Sequence, residues 1–329
     1  MNLSEIRPAS SNVSHAQQLR TWFRGLPAHL QKELTELHQL KTSYNGFALL
    51  YAVLWLGAGW AALEVTNTPV RCALWLLSGA SLHALTILMH ECNHGNFFRN
   101  QKLDRFYGFL FGLPGLVSAE AYRVMHMKHH QHNRTSQDPD EVTNLSGNPR
   151  LLRVFFLLWA VIGMFAYIAS IPSTALRVAT KRERRRILTE YAMIVIAHGA
   201  FFALSARAGR LDIWRSLWAY PLVAAAVLGN IRGWAEHGLT RADSAFTSSR
   251  TVTSTRLVSF FMCNLNYHRE HHLFAGIPWY NLPEAHKIME FHLRAEVSTT
   301  EKSYLGFAGK MLVTLLTPEQ PTLSVSTRY

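Results

Sequence analysis

Charged residues are scarce in this chain. They make up 16% of its 329 residues, whereas soluble domains usually carry about 25%, and 49% of the residues are hydrophobic. Acidic residues are rarer than basic ones, with 21 Asp+Glu against 33 Lys+Arg. This balance is typical of a membrane protein with a positively charged cytoplasmic side. A nucleic-acid partner, the other common explanation of a high pI, is not expected because the basic residues flank apolar runs.

Cysteine is also rare and gives no disulfide framework. The three cysteines, Cys72, Cys92 and Cys263, are widely separated, so we expect reduced, buried thiols. Residues 1–30 have no continuous apolar core and therefore predict no signal peptide. We expect the N-terminus to stay in the cytoplasm.

Long apolar runs, in contrast, are abundant. A membrane-spanning helix needs about 20 mostly apolar residues. Four runs approach this length, and we predict that they form two hairpins of spanning helices. They lie at 46–63, 72–89, 191–206 and 217–231.

Two further apolar runs are predicted not to cross the membrane. The run 107–118 is short and contains Pro114. The run 154–171 is long enough to span, but a crossing there would place the basic loop 177–186 outside, against the positive-inside tendency. We therefore predict that 154–171 lies along the interface, or dips in and returns.

These segments together predict an all-α integral membrane protein with four transmembrane helices, interfacial or re-entrant helices and a cytoplasmic cap. Residues 1–45 are predicted to be a cytoplasmic N-terminal segment with an amphipathic helix near 28–41. Residues 46–317 form one membrane domain, and 318–329 are a flexible tail. In this topology every histidine cluster faces the cytoplasm.

Histidine is the residue in excess, with 17 copies. Its clusters have spacings of three and four residues, which place side chains on one face of a helix. Such a face presents several imidazoles in one direction, as metal coordination requires. The clustered residues are His90, His94, His126, His129, His130, His268, His271 and His272, and His237 is a ninth candidate at the end of the fourth span.

The number of histidines argues against a single zinc ion. Structural zinc takes four ligands and catalytic zinc three from the protein, so eight or nine imidazoles suit two six-coordinate ions with positions left for oxygen or water. Imidazole alone does not choose among zinc, copper, iron and nickel.

The motifs resemble those of the membrane fatty-acid desaturase superfamily, which includes carotenoid ketolases and hydroxylases and is similar to alkane hydroxylases. The matching segments are HECNH at 90–94, HMKHH at 126–130, AEHG at 235–238 and NYHREHHLFAGIPWYNLP at 266–283. The resemblance implies that the nine histidines named above ligate two non-haem irons. These would activate O₂ with two external electrons.

The resemblance favours a desaturase acting on a lipid or fatty-acyl chain, with a hydroxylase or ketolase of the same class as the alternative. H-E-x-x-H at 90–94 also matches an intramembrane zinc protease with Glu91 as base. That reading lacks the Asp-Gly pair expected in a later span and leaves both H-x-x-H-H clusters unused. A metal transporter would want more ionisable residues in mid-membrane than His83 and His198.

Several residues near the clusters are candidates for supporting roles. Glu91, Glu236 and Glu270 each adjoin a candidate ligand, and such carboxylates often hold the far nitrogen of a ligand histidine. Asp138 and Asp140 are candidates for the same role, but we prefer to interpret them as turn residues. The remaining candidates are Asn264 and Asn266 for a metal-bound water, His83, His132 and His286 for support, and His198 for a helix contact.

No His-Pro-Gly-Gly segment typical of a fused cytochrome b5-like domain occurs in the chain. We therefore expect the electron donor to be a separate ferredoxin- or cytochrome b5-like protein. The basic stretch 177–186 is a candidate for docking an acidic donor or anionic lipid headgroups.

Overall fold

A computed structural model of the chain describes residues 15–141, 144, 146, 148–241, 244–293 and 300–317. Within these residues the fold is almost entirely helical. The helices are α1 (His15–Gly25), α2 (Ala28–Glu36), α3 (Gly46–Glu64), α4 (Thr68–Asn93), α5 (Gln101–Gly112), α6 (Ala119–His132), α7 (Pro149–Val178), α8 (Lys181–Arg207), α9 (Leu211–Trp214), α10 (Tyr220–His237), α11 (Arg256–Phe261), α12 (His268–Leu273), α13 (Leu282–His292) and α14 (Tyr304–Leu316). Two short strands, β1 (Thr251–Val252) and β2 (Thr300–Glu301), pair in parallel.

Four helices are long and apolar enough to span a membrane, which confirms the four predicted spans. They cover Thr42–Glu64, Thr68–Asn93, Lys181–Arg207 and Leu211–His237. The last is assembled from α9, a π-helical turn and α10. At about 1.5 Å per residue, the 26 residues of α4 reach about 39 Å, so the helix extends past the hydrocarbon core. That extension carries the first histidines beyond the apolar run.

The prediction that residues 177–186 form a loop is wrong. The first two of these residues end α7, and from Lys181 onward the stretch forms the first turns of α8. The change of direction needs only two residues, because Thr180 caps α8 in a capping box with Glu183. Such a box satisfies two of the free N–H groups at the helix start. The cations of this stretch therefore stand on a rigid helix.

The spanning helices approach closely through small residues. At Gly79 on α4, an added Cβ would lie 2.5 Å from Ala224 Cβ and 2.7 Å from the Pro221 carbonyl oxygen of α10. The Ser216 hydroxyl, in the π-helical turn before α10, donates to the Gly59 carbonyl of α3 at 2.6 Å. Close backbone approach of this kind is typical of membrane helix interfaces. It holds α3, α4 and α10 in one bundle.

The outer faces of α3 and α8 are apolar and exposed. Leu49 is 70% exposed on α3, and Val195 and Ile196 are 69% and 68% exposed on α8. An apolar surface of this extent is stable when lipid covers it. These faces are the lipid-contacting surface of the bundle.

Helix α7 is long but not a straight span. Its segments Arg150–Trp159 and Ile162–Val178 meet at an angle of 97°. The Trp159 carbonyl at the bend accepts a hydrogen bond from Asn230 Nδ2 of α10 at 2.9 Å, so α10 satisfies a carbonyl beside the break. A bend of this size fits either a broken span or a re-entrant segment, so the prediction that 154–171 lies along the interface, or dips in and returns, stays a prediction.

The short apolar run with Pro114 ends α5 and turns back into the bundle. Leu116 takes a positive φ of 61° in this turn. The Leu113 and Pro114 carbonyls accept hydrogen bonds from His198 Nε2 and Trp218 Nε1, at 2.9 and 2.8 Å. The predicted helix contact of His198 is thereby confirmed.

The N-terminal amphipathic helix is shorter than predicted. It occupies α2 and buries Leu30 and Leu34 in place of continuing to residue 41. The segment 1–14 and the predicted flexible tail 318–329 lie outside the described residues.

Candidate metal centre

Four helix segments deliver the histidines to one region beyond the membrane spans. His90 lies in the last turn of α4, and His94 is its C-cap. His237 is the final residue of α10. The H-x-x-H-H clusters lie on α6 and α12, so their spacing does place the imidazoles on single helical faces. The ends of α4 and α10 therefore frame the site, and α6 and α12 close over it.

Five of the imidazoles form what we call the first group. Its members are His90, His94, His126, His130 and His271, and each offers a ring nitrogen within 4.8 Å of the others. Nε2 of His126 lies 3.0 Å from Nε2 of His94 and 2.9 Å from Nε2 of His130. Nε2 of His130 is also 3.1 Å from Nε2 of His271.

The other four imidazoles form the second group. Its members are His129, His237, His268 and His272. His268 Nε2 lies 2.8 Å from His237 Nε2 and 3.1 Å from His272 Nε2. The His130 and His272 rings stack with centroids 4.3 Å apart, so the two groups are adjacent. All nine predicted histidines are thus brought together, divided five and four.

The protonation states of five of these rings fit metal binding. Burial lowers the pKa of His94 to about 3. Burial first, and neighbouring imidazoles second, hold the pKa of His126, His130, His271 and His272 well below its usual value. Neutral rings keep a lone pair, which a metal ligand needs.

Unsatisfied buried nitrogens also indicate a missing partner inside the first group. Among the described residues, His90 Nδ1, His90 Nε2 and His271 Nδ1 are buried without a hydrogen-bond partner, and His90 Nε2 is the one on the side of the other imidazoles. Buried polar atoms are rarely left this way. A donor set of clustered neutral imidazoles with an unsatisfied nitrogen fits two metal ions, one per group.

Carboxylates approach the outer ring nitrogens of three of these histidines. Glu91 Oε1 lies 3.3 Å from His90 Nδ1, and Glu236 Oε2 lies 3.3 Å from His268 Nδ1. Both pairs are close as predicted, but neither is a hydrogen bond, since His90 Nδ1 and His268 Nδ1 have no hydrogen-bond partner among the described residues. A partner on Nδ1 orients the ring and leaves Nε2 for the metal.

For the third carboxylate, Asp138, the sequence interpretation preferred a turn residue to a partner of a ligand histidine, and that preference was incomplete. His129 Nδ1 donates to its two oxygens at 2.9 and 3.0 Å. Asp138 also accepts from the backbone N–H groups of Arg134 and Asp140, so it does make the turn. Burial alone would lower the pKa of His129, but Asp138 and nearby acids raise it to about 9. Spacing could not reveal this pair, because nine residues and a helix end separate the partners.

Sequence reasoning also missed Asn133, the residue that follows α6. Its Nδ2 lies 3.3 Å from His272 Nδ1 and 3.1 Å from the Ser248 hydroxyl. Its position directly after a histidine-rich helix was the only available signal.

Glu270 does not make its predicted contact. Its carboxylate accepts from Arg269 at 2.7 Å, His286 Nδ1 at 2.9 Å and the Thr251 hydroxyl, where a ligand histidine was expected. Burial would raise its pKa, but Arg269 and His286 lower the pKa of Glu270 to about 2. This network joins α12 to α13 and β1, and it gives His286 its supporting role.

The two asparagines proposed for a metal-bound water belong to the turn before α12. Asn266 Nδ2 donates to the Val252 carbonyl at 2.8 Å, which pairs the turn with β1. Asn264 takes a positive φ of 51°, and its carbonyl accepts from Tyr267 N. Both residues position the His268 helix through the backbone. His132 likewise ends α6, where its carbonyl accepts from Thr135.

The orientation of Glu91 argues against the zinc-protease reading. Its Oε2 accepts from Trp279 N at 3.1 Å and Asn96 Nδ2 at 3.3 Å, and its Oε1 faces Nδ1 of His90. A general base would have to face a water on the metal side of the ring. Glu91 instead lies behind His90 and anchors the loop before Trp279.

A cavity of about 260 Å³ runs from the histidines into the membrane domain. One part is lined by members of both imidazole groups, including His90, His126 and His268. Elsewhere its walls are largely apolar and come from α4, α7 and α10. They include Leu82, Met89, Ile168, Ile171, Leu222 and Ala226. An apolar cleft with a few convergent polar groups is typical of a ligand site.

The fold and site define an all-α membrane protein with a histidine-rich candidate metal centre beside an apolar cavity. Comparison with known proteins gives the family. The fatty acid desaturase family model matches residues 67–300, and the chain belongs to this family.

Two of the relatives are distant but cover most of the chain, and a third is more similar over a short part of it. The sphingolipid delta(4)-desaturase/C4-monooxygenase DES2 of Mus musculus is 26% identical over 87% of this chain and 84% of its own length. The sn-1 oleoyl-lipid 12-desaturase of Arthrospira platensis is 21% identical over 70% of this chain and 71% of its own length. The chloroplastic sn-2 acyl-lipid omega-3 desaturase (ferredoxin) of Helianthus annuus is 36% identical over 24% of this chain and 18% of its own length.

Proposed function

We propose that the protein is a non-haem di-iron desaturase that uses O₂ to introduce a double bond into the aliphatic chain of a lipid. The observation that carries this proposal is the convergence of nine histidines, in groups of five and four, on an apolar cavity between α4, α7 and α10. Membership of a lipid-desaturase family supports both the metal and the substrate class.

The chain's own residues would bind and orient the reactants. The nine histidines would hold two irons, which supply O₂ activation when bound. Glu91, Glu236 and Asp138 would keep Nδ1 protonated on His90, His268 and His129, so that Nε2 faces inward. Apolar walls of the cavity would align the aliphatic chain and exclude water.

The overall reaction balances only with an outside reductant. A saturated segment R–CH₂–CH₂–R′ loses two hydrogens, and O₂ gains four electrons to become two waters. Two of these electrons come from the substrate, and two electrons and two protons come from outside. We propose a separate donor protein of the ferredoxin or cytochrome b5 type.

We also propose that the N-terminus and the imidazole groups face the cytoplasm. The first basic turns of α8 lie on the same side of the bundle as the imidazole groups, since Glu183 there pairs with Arg123 of α6 at 2.7 Å. Cytoplasmic ends of spanning helices tend to carry the positive charge.

Expression in a host membrane followed by analysis of extracted lipids tests the function. We expect a new double bond in a lipid chain with the wild-type protein and none with His268→Ala. Metal analysis of the purified protein should give two irons per chain. One zinc per chain, or an unchanged lipid profile with iron bound, would refute the proposal.

A hydroxylase of the same class is a second candidate. The DES2 relative carries both desaturase and C4-monooxygenase in its name, so the two outcomes occur on one similar chain. Hydroxylation would return oxygen to the carbon in place of removing a second hydrogen. An oxygenated lipid without a double bond in the same extract would select this candidate, or a ketolase if the product is a ketone.

The cavity wall at Gly229 gives a prediction about substrate length. An added Cβ there would lie 2.9 Å from Met164 Cε and 3.6 Å from His83 Cδ2, so Gly229→Ala should fold with a small shift of the Met164 side chain. Because the methyl narrows the passage between α4, α7 and α10, we expect kcat/KM for long chains to fall about tenfold. Shorter chains should be affected less.

The matched control is Gly199→Ala on α8, where an added Cβ meets nothing within 4 Å. It should leave the long-to-short preference unchanged. An equal loss of activity on all chain lengths in Gly229→Ala would mean that the cavity does not hold the aliphatic chain at this level.

A further inference from the structure

A second pocket reaches the first imidazole group from a polar surface. It has a volume of about 610 Å³, and His94 is one of its lining residues. Three of its lining residues are arginines, Arg99, Arg105 and Arg123. His94 is only partly buried, and its Nε2 lies 3.0 Å from that of His126. The pocket is therefore a short route from the surface to the proposed metal ligands.

The surface beside this pocket carries an excess of positive charge. We call it the basic face, and its residues are Lys102 and Arg105 of α5, Arg123 of α6, and Arg182 and Arg186 of α8. Arg105, Arg123 and Arg186 all approach Glu120, at 3.5, 2.9 and 3.5 Å. One carboxylate thus serves three guanidinium groups.

The acids of these helices neutralise the basic face only in part, because two of them, Glu120 and Glu183, are shared among three of its five cations. Asp104 and Glu120 are only 5% and 3% exposed. Glu183 is occupied by Arg123 and Thr180, and Glu190 accepts from Ser118 and Glu120 N.

The cations of the basic face also repel one another. Burial lowers the pKa of Arg105, and Arg186, Arg123 and Arg182 lower it further against the opposing effect of Glu120. Lys102 and Arg182 are exposed. An anionic partner would relieve this repulsion, and complementary charge steers such partners together.

We propose that an acidic electron-carrier protein docks on the basic face and passes electrons to the first imidazole group through the His94 pocket. The inference rests on the proposed function, which needs two one-electron carriers oxidised per turnover. Electron transfer weakens steeply with distance, so a donor must dock where a metal ligand approaches the surface. A role in lipid headgroup binding would require a positive band at the membrane surface but no pocket lined by His94.

Charge reversal at two exposed positions tests the docking. The variant is Lys102→Glu with Arg182→Glu in the iron-loaded full chain, held in nanodiscs of uncharged-headgroup lipid. Its matched control is Arg207→Glu with Arg215→Glu, the same charge change on exposed residues at the other end of α8 and near the start of α10. The probes are a soluble plant-type ferredoxin and the soluble domain of cytochrome b5, both acidic one-electron carriers.

We expect at least one carrier to bind the wild type with an affinity that falls as salt rises. The Lys102/Arg182 variant should bind it at least tenfold more weakly, and the control should stay within twofold. Turnover driven by dithionite should be equal in all three proteins. If dithionite gives product with none of the three proteins, the proposed function is refuted. The carrier affinities still test the docking proposal in that case.

Three results would overturn the docking proposal. One is the absence of salt-dependent binding of either carrier to the wild type. Another is an equal loss of affinity in the variant and the control. The third is unchanged carrier affinity with a loss of co-purifying phosphatidylglycerol in the variant, which would assign the basic face to lipid headgroups.

Discussion

Replacing His268 with alanine should abolish detectable product and lower the iron content from two to about one per chain. His268 Nε2 lies within 3.1 Å of both His237 and His272, so its removal leaves three imidazoles in the second group. It also frees the buried Glu236 carboxylate from a ring that it orients. The first group keeps all five imidazoles, and its iron should remain.

Iron and zinc content of the purified protein, measured with product formation, checks this result. His29→Ala is the control, since His29 is exposed on α2 away from both imidazole groups. His268→Gln, which keeps a polar side chain of similar size, guards against loss through misfolding. Two retained irons with normal product in either His268 variant would show that His268 is not a ligand.

Asp138→Asn should lower iron affinity of the second group or turnover by about 10- to 100-fold, the usual effect of losing a carboxylate behind a ligand histidine. Arg134 N and Asp140 N donate to different oxygens of Asp138, so asparagine keeps one of these two turn contacts and the turn should be weakened less than by alanine. It removes the charge that faces His129 Nδ1. The ring then loses its strongest orienting partner.

Iron titration and thermal unfolding of the metal-free chain separate the two roles of Asp138. A large loss of iron affinity with little change in Tm supports the orienting role. The matched control is Asp212→Asn, an exposed position on α9 that should change neither quantity. A fall in Tm with unchanged iron affinity would show that Asp138 serves only the turn.

The membrane architecture was readable from the sequence because its causes are local. A spanning helix must satisfy its own backbone hydrogen bonds in lipid, so an apolar run of sufficient length defines it without reference to the rest of the chain. The same holds for the clusters at His126 and His268, whose spacing fixes a common helical face. That these histidines ligate iron remains a prediction.

Contacts between distant segments were not readable in this way. The prediction for Glu270 failed because adjacency to a ligand histidine does not fix side-chain direction on a short helix. Asp138 reaches His129 only because the chain reverses after α6, and a turn residue with two oxygens can serve both purposes. The basic stretch was expected to be a loop because its high charge was taken as a sign of a connection between helices. The capping box formed by Thr180 and Glu183, which predicts a helix start, was overlooked.

Periodicity or spacing within one segment was enough to predict the four spans, the helical histidine faces and the family resemblance. The folded protein was needed to reveal the division of the imidazoles into five and four, the carboxylate behind His129 and the pocket at His94. These depend on how α4, α6, α10 and α12 pack. Packing is set by small residues such as Gly79 and by the bend in α7, and neither leaves a spacing pattern that identifies its partner.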